Sequence, residues 1–275
     1  MQRLFITSLK KYNMNLGLKD KIIIVTGGAK GIGEGIVKVL AAEGAIPVIV
    51  GRSEDDNLKT VAAIETSGGR AYQVVAELTQ PEASEKAVKE VLDQFGRIDG
   101  LVNNAGVNDG VGLEQGNYND FMASLHKNVV HYYLMAHHAL PALKASKGAI
   151  VNITSKVADT GQGGTSGYAA ANGGRNALTR EWAVELLKYG IRVNAIVVAE
   201  CWTPLYESWI KTLANPEEKL AEITAKIPLE NRMTTAEEIA NTAVFLLSER
   251  SSHTTGQLLY VDGGYVHLDR ALANA

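Results

Sequence analysis

The chain has 275 residues, 46% of them hydrophobic and 21% charged, with a formal net charge of −3; a globular chain of this size buries about 75% of its unfolded surface in one large α/β domain. Mild acidity without a basic run makes nucleic acid and anionic membranes unexpected partners, and no stretch approaches the ~18 apolar residues of a membrane span. The lone cysteine, Cys201, excludes an internal disulfide and argues against a thiolate metal site, so the expectation is a cytoplasmic protein without a bound metal.

The opening M-Q-R-L-F-I-T-S-L-K-K-Y-N is basic but has no secretory apolar core or cleavage site. Residues 1–13 therefore read as a disordered extension before a single domain over 14–275. Lys21 to Thr26 is an apolar run bounded by charge and glycine, the pattern of a strand covered on both faces of a parallel sheet. G-G-A-K-G-I-G follows at 27–33, and a helix over 34–43 turns Ile36, Val37, Val39 and Leu40 inward. Strand, glycine turn and helix together place backbone N–H groups and a helix N-terminus where a pyrophosphate can approach. A second strand, 45–50, ends at Gly51-Arg52-Ser53. An NAD-preferring fold offers the ribose a carboxylate there, whereas a 2′-phosphate needs a cation. The acid is missing and Arg52 and Lys30 are at hand, so NADP is expected, with NAD second; the alternative leaves both cations as solvated surface charges.

Alternation continues with a helix over 55–66, a strand over 71–76, a helix over 82–95 and a strand over 98–102. Asn103-Asn104-Ala105-Gly106 then suits a tight turn beside a cofactor, with the amides pinning neighbouring backbone. A long helix is expected over 120–143. It carries Asn128, an amide mildly unfavourable in a helix and so either exposed or held for a purpose. It also carries His126, His131, His137 and His138, which lack the carboxylate or thiolate that would complete a metal set.

A buried strand over 149–154 ends at Ser155, and a Gly-rich loop leads to Tyr168 early in the next helix. A strand-loop-helix crossover can bring both oxygens to one point, a constellation for proton transfer to a substrate oxygen. The alternative is a loop cap and an ordinary half-buried tyrosine. The helix runs on to 188 and a sixth strand covers 191–198. In E-C-W-T-P-L-Y-E-S-W, Glu200, Trp202, Tyr206 and Trp209 read as a substrate wall, an acid for hydroxyls and flat rings for C–H faces; the alternative is a helical lid packed on its own core. A helix over 235–248, a strand over 258–261 and the turn Asp262-Gly263-Gly264 complete the domain, and residues 265–275 suit a subunit contact.

The T-G-x-x-x-G-x-G form of Thr26 to Gly33, N-N-A-G at 103–106, Asn128, Ser155 and Tyr168 together resemble the short-chain dehydrogenases/reductases over roughly residues 18–264. The resemblance implies a Rossmann-type doubly wound domain of about seven parallel strands, a homotetramer, and reversible hydride transfer between a nicotinamide dinucleotide and a small polar alcohol or carbonyl. It implies that Tyr168 exchanges a proton with the substrate oxygen, that Ser155 orients that oxygen, and that Asn128 holds a relay water. Gly27, Lys30, Gly31, Ile32, Gly33, Arg52, Glu77, Leu78, Asn104, Ala105, Gly106, Tyr168, Asn172 and Thr203 would hold the dinucleotide, with Thr203 on the nicotinamide amide and Glu77 where the family often has an Asp. Within the family, N-N-A-G-V-N-D-G-V-G-L-E, the loop before Tyr168 and the ending from His253 resemble the L-fucose dehydrogenases, which oxidise an aldose at C1 to its lactone. A reductase of another carbonyl, 3-oxoacyl or steroid, and a non-catalytic dinucleotide-binding scaffold are the alternatives.

Two departures stand out: Val198-Ala199 replaces the family's Pro-Gly, and Asn172 replaces the lysine of Tyr-x-x-x-Lys. A phenol ordinarily ionises near ~10, so a tyrosine base working near neutrality needs a cation beside it. Asn172 brings only a dipole. Arg175, seven residues on, reads as too far along the helix at ~10 Å of rise. The expectation is therefore weak turnover with an alkaline optimum, raised about 100-fold near neutrality by Asn172→Lys.

Overall fold

Apolar, β-branched runs and amphipathic runs take turns along the chain, and each becomes the element its pattern favours. A computed structural model describes residues 14–269; residues 1–13, read above as an extension, and 270–275 lie outside them. The strands are β1 (Ile22–Thr26), β2 (Ile46–Gly51), β3 (Tyr72–Val75), β4 (Gly100–Asn103), β5 (Ala149–Ser155), β6 (Arg192–Val198) and β7 (Leu258–Val261). They form one parallel sheet in the order β3-β2-β1-β4-β5-β6-β7. The helices are α1 (Gly31–Ala42), α2 (Glu54–Thr66), α3 (Pro81–Phe95), α4 (Tyr118–Leu125), α5 (His131–Ser146), α6 (Ser166–Leu186), α7 (Pro204–Ile210), α8 (Pro216–Thr224) and α9 (Ala236–Leu247).

Alternate residues of each buried strand feed two cores. Ile23 and Val25 of β1 meet α1 and α9 through Ile36, Leu40, Ile239 and Val244. Ile22 and Ile24 face the other way, towards α3, α5 and α6 through Val88, Val91, Met135 and Trp182. Because both faces are covered, the strands need no polar alternation. The strand order reverses between β1 and β4, so the turns after these two strands flank a crevice at the C-terminal edge of the sheet, where such folds bind ligands.

One expected element differs. The long helix over 120–143 is interrupted by a π-helical turn, His126–Val130, between α4 and α5. Such a turn inserts one residue into the helical ladder and re-aims the groups it carries. Asn128 lies in it, fully buried.

A row of buried amides ties the elements that carry the crevice. Asn103 Nδ2 donates to Asn152 Oδ1 at 3.0 Å, Asn152 Nδ2 donates to Thr179 Oγ1 at 2.9 Å, and Thr179 Oγ1 donates to the Arg175 carbonyl at 2.8 Å. Removing the middle member takes the shorter of two acceptors from Asn103 Nδ2, leaving the Tyr132 carbonyl at 3.4 Å, and takes a donor from Thr179 Oγ1. Asn152→Ala is expected to cost roughly 2–3 kcal/mol, read as a lowered urea midpoint with unchanged slope; a shift below ~0.5 kcal/mol would show that the row does not hold β4, β5 and α6 together.

Candidate active site

The glycine turn after β1 is built for close backbone approach. Gly27 and Gly31 have φ of +64° and +57°, and a Cβ on Gly33 would stand 2.1 Å from the Gly27 carbonyl oxygen. Helix α1 begins at Gly31 rather than near Glu34, so its first N–H groups, with Ile32 beside them, face this turn. Asn104 Nδ2 donates to the carbonyls of Thr26 and Gly27 at 2.9 and 3.2 Å, and Thr26 Oγ1 accepts from the backbone N–H of Asn104 and Ala105 at 2.9 and 3.1 Å. The β4 turn thus holds the β1 turn open, an anion-binding cradle of the kind a pyrophosphate requires. Thr203, the N-cap of α7, lies over the cradle, its methyl 3.3 Å from the Cβ position of Gly31.

At the end of β2 the missing acid has a steric reason. A side chain on Gly51 would meet the Asn57 Oδ1 at 2.6 Å, and Asn57 is fully buried, donating to the Gly51 carbonyl at 3.0 Å. Lys30 and Arg52 are not free cations. Lys30 Nζ is 2.7 Å from Asp56 and Arg52 is 3.9 Å from Glu77, whose carboxylate also accepts from the Thr79 backbone and hydroxyl. Leu78 is buried in the core below.

At the far side of the crevice, Ser155 ends β5 half-buried, its hydroxyl accepting from Val157 N–H at 3.4 Å. The short turn after it packs on α6, which carries Tyr168, also half-buried. Asn128 accounts for its own burial: Oδ1 accepts from Val107 N–H at 2.8 Å and Nδ2 donates to the Ser124 carbonyl at 3.0 Å. Asn172 is fully buried, Nδ2 donating to the Tyr168 carbonyl at 2.8 Å and Oδ1 accepting from Arg175 Nη1 at 3.0 Å.

Arg175, set aside above for its separation, reaches the site. Seven residues return to the same helix face, and side chains lean towards the helix N-terminus, so a long side chain spans the rise. Its guanidinium lies 4.2 Å from the Tyr132 ring centroid and 5.9 Å from that of Tyr168. Nε donates to the Asn128 carbonyl, and Nη1 to the Ile153 carbonyl at 3.3 Å. A Cβ on Gly106 would stand 2.8 Å from Nη2, so this glycine is also the space the guanidinium needs.

Trp202, Tyr206 and Trp209, read above as a substrate wall, lie together at α7. Tyr206 stacks edge-on to Trp209 at 5.1 Å and lies 6.2 Å from Trp202, and α7 leaves both tryptophans partly exposed. Glu200 is not an unengaged acceptor. It is ion-paired to Lys156, whose Nζ also lies 3.9 Å over the Tyr265 ring. Burial and then the Glu200 charge push the Tyr206 phenol up, so it stays protonated.

The family model described as enoyl-(acyl carrier protein) reductase matches residues 27–266. The chain belongs to the short-chain dehydrogenase/reductase family. It is 36% identical to L-fucose dehydrogenase of Bos taurus over 89% of this chain and 88% of that protein. It is 34% identical to the 3-oxoacyl-(acyl-carrier-protein) reductase FabG of Thermotoga maritima over 90% and 99%. Among solved structures it superposes on that of Cj0485 dehydrogenase with a TM-score of 0.90 and 49% identity, covering 94% of this chain and 99% of that one. As a short-chain dehydrogenase/reductase it is an NAD(P)-dependent oxidoreductase, and the Gly27–Gly33 cradle fits the pyrophosphate of its cofactor. Among the described residues no helix is long and apolar enough to cross a membrane, and no group of three or more His, Cys, Asp or Glu is placed to hold a metal.

Two groups of this site escape a reading by motif. Arg175 signals itself only by its same-face spacing from Tyr168, and Lys156 only by following Ser155. His131, beneath Arg175, shows the field of that guanidinium: burial first, then the Arg175 charge, hold its imidazole down to about 4 from an ordinary 6.5. Its Nε2 pairs with the Lys127 carbonyl at 3.0 Å. A depressed histidine is neutral in the folded state while the unfolded chain binds a proton, so its stability contribution is complete above pH 6.5 and is lost as pH falls towards 4. The urea midpoint is expected to drop over that window by the equivalent of ~3 kcal/mol, and the drop to shrink in His131→Asn; identical curves for the two proteins would contradict the assignment.

Proposed function

We propose that the protein oxidises the anomeric carbon of an aldose, L-fucose or a sugar of similar configuration, to the lactone, with NADP as preferred cofactor. The observation that carries the sugar reading is the wall. A Lys156–Glu200 pair with side chains only 10% and 15% exposed stands beside the rings of Trp202, Tyr206 and Trp209. An acid and an ammonium can meet several hydroxyls while the rings cover C–H faces. An aliphatic acyl chain would desolvate that pair without replacing its hydration. The likeness to L-fucose dehydrogenase points the same way, whereas the likeness to FabG favours the second reading, reduction of a 3-oxoacyl carbonyl.

In this reading Tyr168 takes the proton of the C1 hydroxyl as the C1–H bond breaks and the C1=O bond forms, and Ser155 donates to the oxygen that becomes the carbonyl. The nicotinamide ring, when bound, accepts the hydride. Gly27, Gly31 and Gly33 cradle the pyrophosphate, and Thr203 serves the nicotinamide amide. Lys30 and Arg52 serve the 2′-phosphate. Their present carboxylate pairs are exposed and therefore weak, so a phosphate dianion can displace them. Exposed Tyr133 on α5, and Val184 on α6 with Leu187 just beyond it, support a homotetramer.

Purified protein is expected to reduce NADP with L-fucose, and Tyr168→Phe to be slower by at least ~100-fold. Arg52→Asp is expected to weaken NADP binding ~10-fold or more and leave NAD preferred. Turnover of 3-oxoacyl thioesters with none of any aldose would sink the sugar reading, and tighter binding of NAD by the unmodified protein would sink the NADP preference.

A further inference from the structure

Arg175 carries a buried charge with no counter-ion. It is 3% exposed, and among the described residues no carboxylate forms an ion pair with it. Its acceptors are the Asn128 and Ile153 carbonyls, Asn172 Oδ1 at 3.0 Å and Asn128 Oδ1 at 3.4 Å, all neutral, with the face of Tyr132 on one side. Keeping an unpaired cation out of water is costly, and an apolar side chain would fill the same space without that cost. A negative charge that arises beside it during the reaction would match it.

Two phenols lie beside it. Tyr132 is fully buried, donates its hydroxyl to the Ile153 carbonyl at 2.9 Å, and is pushed far up by burial, so it keeps its proton. Tyr168 is half-buried at the crevice, with its ring centroid 5.9 Å from the guanidinium carbon. Only Tyr168 can exchange a proton with a ligand.

We infer that Arg175 is the cation of the proton-transfer site: held by neutral partners under Tyr168, it stabilises the phenolate that forms when this tyrosine gives up its proton. It is a positioning and electrostatic residue, acting through Tyr168 without touching substrate, and it does the work that the Tyr-x-x-x-Lys pattern gives to a lysine at position 172. Asn172 is then no defect. Its Oδ1 is one of the acceptors that aim the guanidinium, and a lysine there would remove that acceptor and set a second positive charge against the first. Asn172→Lys alone is therefore expected to bring no gain near neutrality, the reverse of the reading from sequence.

The inference rests on Tyr168 as the proton-transfer group, and the test separates the two. The kcat profile against pH is to be measured for the unmodified protein, Arg175→Gln, Arg175→Lys, the double variant Asn172→Lys with Arg175→Gln, and Tyr168→Phe. Dinucleotide affinity and urea midpoints confirm that each is folded. The neutral Arg175→Gln is expected to need a pH higher by ~1–2 units to reach its plateau and to lose ~10–100-fold at neutrality. Arg175→Lys should keep most of the original profile, and the double variant should recover it with the cation one turn after Tyr168. Should Arg175→Gln not fold, Arg175→Lys against the double variant gives the same comparison between two positions of the charge. A second reading needs no turnover: the ring-carbon NMR signal of Tyr168 in the dinucleotide complex, assigned by its absence in Tyr168→Phe, should begin its alkaline change at lower pH in the unmodified protein than in Arg175→Gln. Profiles and NMR curves that coincide, or a loss equal at every pH with no recovery in the double variant, would overturn the role of Arg175 and leave it a structural strut. Full activity in Tyr168→Phe would instead overturn the assignment of the tyrosine.

Discussion

One guanidinium, buried and without an anion, sets the arrangement of the catalytic end of this molecule. Arg175 joins four segments at once: the turn after β4 through the space at Gly106, the π-helical turn through Asn128, strand β5 through the Ile153 carbonyl, and its own helix through Asn172. Each partner must present an oxygen or an empty volume at one point. Several otherwise odd choices follow from this need. A glycine stands at 106, the helix changes its winding at 126–130, and a fully buried amide replaces a longer side chain at 172. Without the guanidinium, these features would leave a polar cavity in a close-packed region, which protein interiors tolerate poorly.

The dinucleotide side depends on a different constraint, the close approach of the turns after β1 and β4. Asn104 and Thr26 exchange hydrogen bonds across the switch point of the sheet, so the glycine cradle is rigid before any ligand arrives. Preorganisation of this kind lowers the ordering cost of binding. The proposed substrate side is set differently again, by the short helix α7, whose rings and the Lys156–Glu200 pair give a surface both flat and charged. Three neighbouring regions of one edge of the sheet therefore answer to separate physical demands: backbone approach, a buried charge, and an amphipathic wall.

Much of this was legible from the chain itself. A continuous apolar run such as Ile22 to Val25, bounded by charge and glycine, reads as a strand covered on both faces, and Thr26 to Gly33 announces its turn through its glycines. Asn103 to Gly106 was readable because small residues and amides have few other uses at a strand end. Most of the missed features share a cause, a contact between segments far apart in sequence. The acids Asp56 and Glu77, which partner Lys30 and Arg52, come from other elements. Lys156 is drawn to Glu200 across 44 positions. The π-helical turn has no propensity signature in the sequence. Arg175 was discounted by measuring rise along the helix axis and neglecting the reach and tilt of the side chain. The structure places a guanidinium at position 175 beside Tyr168, where the sequence reading found no cation.

The most direct measurement is a crystal structure of the complex with NADP and a sugar lactone. The expected result has Tyr168 Oη within hydrogen-bond distance of the lactone carbonyl oxygen. Arg175 would still rest on the Asn128 carbonyl, and no carboxylate would have moved in beside it. A structure in which the guanidinium has swung away or paired with an acid, or in which the carbonyl oxygen faces a group other than Tyr168, would contradict it.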